Sequence, residues 1–421
     1  MMSESKSDVD VAIVGGGLGG SALGGYLARA GMRVVMLEQL MQFEDRVRGE
    51  WMAPWGVAEL KRVGLYDRFM AAGGHHLRRS IGYDELLQPA QAEALGGPMT
   101  QLRDDIPGPL CMQHVVMQNE SLAAAIEAGV DVRRGISRVK VVAGATPQVS
   151  FVHGRREHSI RCRLIVGADG RGSSVRRQLS IPMNEAPLDH LLAGLLIEGA
   201  HGWPEDLQSV GKVGDIHYLV FPQGGGRVRL YADYAYAGRA RFTGTDGAQE
   251  MLALFNMPQV PHSEVIANAK PVGPCKSWPS QDAWVDVPCV EGAVLIGDSA
   301  GYNDPILGRG MSVTLRDVRT VGELLVSSKD WSVDQFRPYV DERRERMRRL
   351  RYAASFATTL NARFGEVDVQ RRIRAMTLFA RQPELARTVE AAFMGPERVP
   401  AELFTPEHYE RVFGTREYLV A

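Results

Sequence analysis

The sequence predicts an α/β fold in three parts: a Rossmann-like parallel sheet, an inserted and mostly antiparallel β-sheet domain, and a helical C-terminus. Three observations carry this expectation. The first 38 residues read as strand, glycine-rich turn, helix and strand, the β-α-β unit from which parallel sheets are built. Between 186 and 284 the pattern changes to alternating strands joined by turns such as QGGG at 223–226. From Val333 onward nearly every segment has helical spacing.

Taken in order, Val9 to Val14 is a short apolar run, expected to be a buried strand. Ser21 to Ala30 places Ala22, Leu23, Tyr26, Leu27 and Ala30 at helical spacing, and Gly31 closes the helix. Arg33 to Glu38 is the second strand. A helical pattern resumes between Trp51 and Gly64, a short helix is expected over Glu120 to Gly129, and a strand over Val130 to Arg134. Segments 137–142, 148–153 and 157–161 read as a small β-meander. Leu164 to Ala168 is a fully apolar strand that leads through glycines to a helix from about Ser174. In the inserted region the strands are Leu191 to Ile197, Ile216 to Phe221 and Val228 to Tyr236. After the strand ending at Gly297, a helix from about Gly310 puts Met311, Leu315, Val318, Gly322 and Leu325 on one face. The arginine-rich stretch DERRERMRRLR at 341–351 reads as a solvated helix laced with Glu/Arg pairs one turn apart.

A chain of 421 residues is long for one core and fits about two domains with a helical extension. With 45% hydrophobic residues, 24% charged and a net charge of -1, it offers nothing to nucleic acid or to an acidic surface. Cys111, Cys162, Cys275 and Cys289 lie far apart with no C-x-x-C, so neither a zinc site nor a disulfide framework is expected. Reduced thiols, no metal and a cytoplasmic location follow as expectations. The start MMSESKSD lacks the character of a signal peptide, and no apolar run approaches the roughly 18 residues of a membrane helix.

The chemistry is concentrated in three stretches. Gly15, Gly17 and Gly20 have G-x-G-x-x-G spacing after a strand and before a helix, with Glu38 ending the next strand. The first glycine permits the turn, the second lets backbone approach a pyrophosphate, and the third lets helix and strand pack closely. The helix N-terminus then offers unpaired N–H groups to phosphate. Glu38 can accept both ribose hydroxyls of an adenosine, so the ligand is a dinucleotide, FAD or NAD. The stretch GADGRGSSVR at 167–176 again ends a strand in an acid, Asp169, beside Ser173 and Ser174 as possible caps. A third acid, Asp298, ends the strand before the glycine-lined loop GDSAGYNDPILGRGM at 297–311. Acids at such strand ends lie where ligands bind open α/β sheets.

With these three motifs in this order, the chain over about residues 9–330 resembles the class A flavoprotein monooxygenases of the para-hydroxybenzoate hydroxylase type. The resemblance implies a Rossmann-like FAD-binding domain of the glutathione-reductase type, made of 1–75, 105–185 and 285–330. It implies a substrate-binding sheet domain from 76–104 and 186–284, followed by the helical region 331–421. FAD would lie extended, with Gly15, Gly17, Leu18, Gly19, Gly20 and Glu38 on its ADP half. By the same resemblance Gly297 and Asp298 would hold the ribityl chain, and Asp169 would sit near the pyrophosphate and the nicotinamide donor. Arg48 would reach the flavin, and Gln118 or Asn119 would supply a polar contact. Pro305 and Leu307 would lie against the ring, with Gly308, Gly310 and Met311 opening the helix toward its N1–C2 edge. Tyr218, Phe221 and Tyr231 would face substrate, together with Pro305. No catalytic acid or base stands out.

The implied reaction uses NADPH or NADH as a transient donor and O2, passes through a flavin C4a-hydroperoxide, and hydroxylates an aromatic or heteroaromatic small molecule in a monomer or homodimer. One departure is Ser299-Ala300-Gly301, where many relatives carry Ala-Ala-His. The wider DPILGRGM is also similar to flavin-dependent halogenases, whose W-x-W-x-I-P signature is absent, and to geranylgeranyl-type reductases. A non-catalytic FAD-binding protein is the reading from a different class.

Overall fold

The computed structural model describes residues 8–47, 49–100, 102–103 and 105–420. Its first sheet has six strands in the order Cys289–Val290, Ala293–Leu295, Leu164–Gly167, Val11–Val14, Val34–Glu38, Asp131–Arg134. All pairs but the first are parallel, and Val11 pairs with Leu164 on one side and Val34 on the other. Val11–Val14 is buried at every residue, as a central parallel strand covered on both faces must be. One cover is the helix Leu18–Arg29 with the helices Pro54–Arg62, His114–Glu127 and Gly310–Ser327; the other is the meander Ile136–Val142, Gln148–His153, Arg156–Arg161.

A second sheet of eight strands is mostly antiparallel. Its centre is His190–Glu198, Arg227–Ala235, Ile216–Gly224 and Leu207–Val213, in that order. Arg79–Ile81 joins the last of these in parallel, Gly97–Pro98 extends the edge, and Lys270–Pro271 and Lys276–Ser280 pair with His190–Glu198. Alternation along these strands divides the sheet into two faces. One packs on the small helices of 247–267; the other faces the parallel-sheet domain. The C-terminal part contains the helices Arg337–Asn361 and Glu366–Arg381, followed by short helical turns to Phe413. Among the described residues no helix is long and apolar enough to cross a membrane.

Several element bounds differ from those read in the sequence. Trp51–Met52 is a short strand, and the helix begins at Pro54, whose fixed φ suits a first helical turn. The helix expected from Glu120 begins six residues earlier, at His114.

The larger correction concerns 341–351. Its arginines are not all solvated: Arg343, Arg346 and Arg351 are buried. Arg343 Nε and Arg346 Nη2 donate to the fully buried Asp317 at 3.1 and 2.7 Å, and the Gly297 N–H donates to the same carboxylate at 2.8 Å. Burial alone would raise the Asp317 carboxyl, but the two guanidinium groups hold it below the usual carboxylate range. Local Glu/Arg spacing was misleading because the decisive partner lies 26 residues upstream on another helix. Removing that partner leaves buried Arg343 without its carboxylate and Arg346 with Glu342 alone. Asp317→Ala is therefore expected to cost about 3–5 kcal/mol, read as a lower midpoint in urea unfolding, whereas substitution of the exposed Asp341 should leave the midpoint nearly unchanged.

Candidate functional site

A cavity of about 1010 Å³ runs from the C-terminal ends of the parallel strands to the inserted sheet and on to the C-terminal helices. At its first end, Gly15 has φ +105°, and a Cβ there would stand 2.4 Å from the Ala168 carbonyl oxygen. A Cβ on Gly20 would come within 1.9 Å of the Gly15 carbonyl oxygen, so the helix meets the turn only because residue 20 is glycine. Gly17, Leu18 and Gly19 line the cavity; Gly20 lies behind them. The Glu38 carboxylate accepts from the N–H groups of Gly16 and Leu40 at 2.7 and 2.8 Å, which fixes it at the cavity edge.

The other sequence candidates divide clearly. Gln118 is buried and lines the cavity, whereas Asn119 is exposed. Asp169 lines the cavity too, but its carboxylate caps the helix Ser174–Gln178, accepting from Ser173 Oγ at 2.6 Å and the Ser174 and Val175 N–H groups at 2.6 and 3.1 Å. Asp298 also lines the cavity and is one-third exposed, 3.5 Å from Arg171 Nε. Arg48 lies outside the described residues. Its neighbour Glu50 is buried and pairs with Arg229 of the inserted sheet, tying the two domains together; Gln223 also donates to it at 2.9 Å.

Pro305, Leu307, Gly308, Gly310, Met311 and Gly297 all line the middle of the cavity. Between the last two glycines of that loop lies Arg309, which the sequence reading passed over. It is fully buried, and none of its three guanidinium nitrogens has a hydrogen-bond partner among the described residues. Burial pulls it down to about 10, with Asp282 and Asp304 opposing.

Beyond Arg309 the wall is apolar. Phe221 and Tyr231 line it with Leu192, Leu219 and Trp51, and Trp51 stacks on Phe221 at 5.9 Å between ring centroids. Tyr218 does not face the cavity, contrary to the sequence expectation. Successive residues of a strand point to opposite faces, so Leu219 and Phe221 look inward while Tyr218 packs on Phe255 and donates to the Tyr83 carbonyl at 2.8 Å. Phe379, Val389 and Phe393 of the C-terminal part complete the wall.

The structure adds a buried acid–base cluster. His217 lines the cavity, and its Nδ1 lies 2.8 Å from Oδ2 of Asp233, its cross-strand partner. On the same face His190 stands between three carboxylates: Asp189 at 2.8 Å, Asp304 at 3.3 Å and Asp233 at 4.0 Å. Burial opposes its charge, but these carboxylates hold it well above the usual histidine range. A sequence signal existed. In a hairpin centred on the glycines at 224–226, residue 217 falls opposite 233.

Comparison with known proteins was consistent with this geometry. The family described as FAD binding domain matches residues 8–206, and the family described as squalene epoxidase matches 161–351. Squalene epoxidase 3 of Arabidopsis thaliana is 27% identical over 331 residues, covering 76% of this chain and 61% of its own length. The chain thus spans about three-fifths of that relative. A menaquinone reductase of Mycolicibacterium smegmatis is 26% identical over 76% of each chain. Among solved structures, an anhydrotetracycline hydroxylase from Streptomyces rimosus shares the fold with a TM-score of 0.67 at 20% identity, over 91% of this chain and 76% of its own.

The cluster makes stability depend on pH. Burial, then the charge of Asp304, raises the Asp282 carboxyl to about 7. A carboxyl raised in the folded state stabilises fully below its unfolded value, and this contribution is lost as pH rises through the folded one. Asp282→Asn keeps an acceptor for Asn303 Nδ2 and the Asp304 N–H. It is expected to raise the melting temperature at pH 8 more than at pH 5, as measured by thermal unfolding across that range.

Proposed function

We propose that this chain acts as a class A flavoprotein monooxygenase, from its FAD-binding-domain match, its similarity to squalene epoxidases and the cavity described above. The protein is an FAD-dependent enzyme that takes electrons from NADPH or NADH and inserts one atom of O2 into an apolar small molecule bearing an aromatic or heteroaromatic ring. The observation that carries this reading is the sharing of one cavity by dinucleotide-type glycine loops, an apolar wall and a histidine–aspartate pair.

The residues present fit FAD. The turn at Gly15 to Gly20 leaves room for a pyrophosphate where a side chain would intrude, and Glu38 is held where an adenosine ribose would lie. Asp298 would meet the ribityl chain. The unpaired Arg309 and the helix opening at Gly310 would place positive potential against the ring. When bound, FAD supplies the redox chemistry, accepting electrons from the nicotinamide and activating oxygen. The rest falls to the chain. Trp51, Leu192, Leu219, Phe221 and Phe393 exclude water from the reacting region. His217 would take the proton of a ring hydroxyl or ring N–H and so raise the electron density of the carbon to be attacked.

The squalene epoxidase match over 161–351 favours a second reading, oxygenation of an isolated alkene, for which no ring proton needs to leave. The two separate in one assay. FAD-loaded protein is mixed with NADPH or NADH and a panel of phenols, heteroaromatic compounds and long alkenes, while flavin bleaching and 18O incorporation from labelled O2 are followed. Label in a ring hydroxyl supports the first reading, and label in an epoxide the second. Reduction of substrate without oxygen uptake would overturn both, as would turnover only with an added flavin reductase and halide.

The assignment of Glu38 has its own test. Glu38→Ala removes an acceptor of charge-assisted hydrogen bonds, each contributing about 1.5–3 kcal/mol. FAD affinity, read from flavin fluorescence on titration, is expected to fall by about tenfold or more.

A further inference from the structure

We propose that the helix Glu366–Arg381 is a gate through which a small molecule reaches the apolar end of the cavity, and that Arg372 is its latch. The need for a gate rests on the reading of the cavity's first end as the FAD site; the geometry of the helix does not. A bound FAD would fill the cavity from Glu38 to the helix opening at Gly310. A substrate exchanged at every turnover then needs another way in.

The walls of the apolar end differ in how firmly they are held. The inserted sheet contributes strands that are hydrogen-bonded to neighbours on both sides. The helix Arg337–Asn361 buries 16 of its 25 residues and is anchored through Asp317. The turn Ala391–Met394 is tied to Trp55, whose Nε1 donates to the Ala392 carbonyl oxygen at 3.2 Å. The helix Glu366–Arg381, by contrast, buries two of its 16 residues, Arg372 and Ala375. Elements with so few buried apolar contacts open at the lowest free energy.

This helix is also a single layer between cavity and solvent. Met376 and Phe379 line the cavity and are half-buried, while Val367, Ile373 and Arg374 are exposed on the other side. The two inner side chains thus leave apolar surface uncovered inside the protein, which a seated ligand would bury. Gly365 precedes the helix and Pro383 follows it, so it is set off from the segments on either side.

Among the described residues, the ion pairs that join this helix to the inserted domain are those of Arg372. Its guanidinium, 4% exposed, pairs with Asp84 and lies 3.5 Å from Glu85 Oε1. Buried Lys212 lies 3.0 Å from the same Glu85 oxygen, so two cations meet two carboxylates at the joint. Such a joint is reversible, because ions that separate into water regain hydration. The remaining fastenings hold the helix to the C-terminal part. Arg371 pairs with Glu417 at 2.8 Å, Arg374 Nη2 donates to the Arg411 carbonyl oxygen at 3.2 Å, and Phe379 stacks on Phe356 at 6.1 Å between ring centroids.

Hydrogen exchange and ligand kinetics on FAD-loaded protein test the gate. Peptide-resolved exchange is expected to be about a hundredfold or more faster in 370–381 than in 343–361. Arg372→Gln removes the latch, while Lys212 and the Gly214 N–H still hold Glu85. Flavin content and circular dichroism confirm that the variant is folded. In it, exchange of the gate helix should quicken about tenfold or more. Binding of 4-hexylphenol, followed by flavin absorbance in stopped flow, should show association and dissociation both faster by about tenfold, with Kd changed less than about threefold. Arg372→Lys keeps the charge and should stay within about threefold of the wild-type rates. Equal protection of the two helices in the wild type overturns the gate, as does an unchanged association rate in Arg372→Gln. Failure of FAD to bind overturns the cofactor reading instead, and failure of 4-hexylphenol to bind overturns the ring-substrate reading. In either case the exchange comparison decides the gate alone.

Discussion

The site depends first on one buried carboxylate. Asp317 receives Arg343, Arg346 and the Gly297 N–H, and so joins the helix Gly310–Ser327, the helix Arg337–Asn361 and the turn that carries Asp298. Arg343 also reaches the carbonyl oxygens of Gly297 and Gly301 at 3.4 and 3.3 Å. Tyr339 of the same helix donates to the Leu295 carbonyl at 2.9 Å. Burying such ions costs several kcal/mol each, and the cost is offset only when every partner is present. The geometry of the Gly297 turn is therefore coupled to the docking of the C-terminal helices. A rigid turn is what a cofactor site needs, since misplacement by about 1 Å can cost two orders of magnitude in rate.

A second constraint is the distribution of charge on the cavity face of the inserted sheet. Glu50 and Arg229 pair at one end; His190, His217 and Asp233 cluster at the other. Leu192, Leu219, Phe221 and Tyr231 lie between them. Within each cluster opposite charges face one another, so the middle of the face stays apolar. A ligand on this face meets a polar end that can move protons and a long apolar stretch that cannot. That asymmetry orients a molecule carrying one ionisable group on an apolar body.

How much was legible in the sequence follows from the range of the forces involved. The glycine turn and Glu38 were readable because a tight turn and a close helix–strand approach are fixed by residues within one β-α-β unit. Ser173 was readable as a cap for the same reason, whereas the part Asp169 plays in capping the same helix was not read. Tyr218 was misplaced because a strand's alternation is visible in sequence, but which parity faces the ligand depends on the packing of a second domain. The 341–351 arginines were misjudged because surface pairs and buried pairs share the same local spacing. His217 and Asp233 could have been paired from hairpin arithmetic. Arg309 was hidden among glycines, where the motif drew attention to backbone and away from the side chain.

The division between shared and particular residues bears on what the relatives can say. The squalene epoxidase match ends at residue 351. The wall built from Ala357, Leu360, Met376, Phe379, Val389 and Phe393 lies wholly beyond it. The loops that would hold FAD lie inside the matched segments, at 15–20, 169 and 297–311. Similarity therefore speaks for the cofactor end of the cavity, where chemistry is set by backbone geometry and a few charges. It is silent on the C-terminal part of the apolar wall, although Trp51, Leu192, Leu219, Phe221 and Tyr231 lie inside the matched segments. A chain can share the first with epoxidases and still close the second around a different molecule. The His217–Asp233 pair sits inside the matched segment yet faces the substrate end, so it is the point at which the shared cofactor chemistry meets the chain's own choice of substrate.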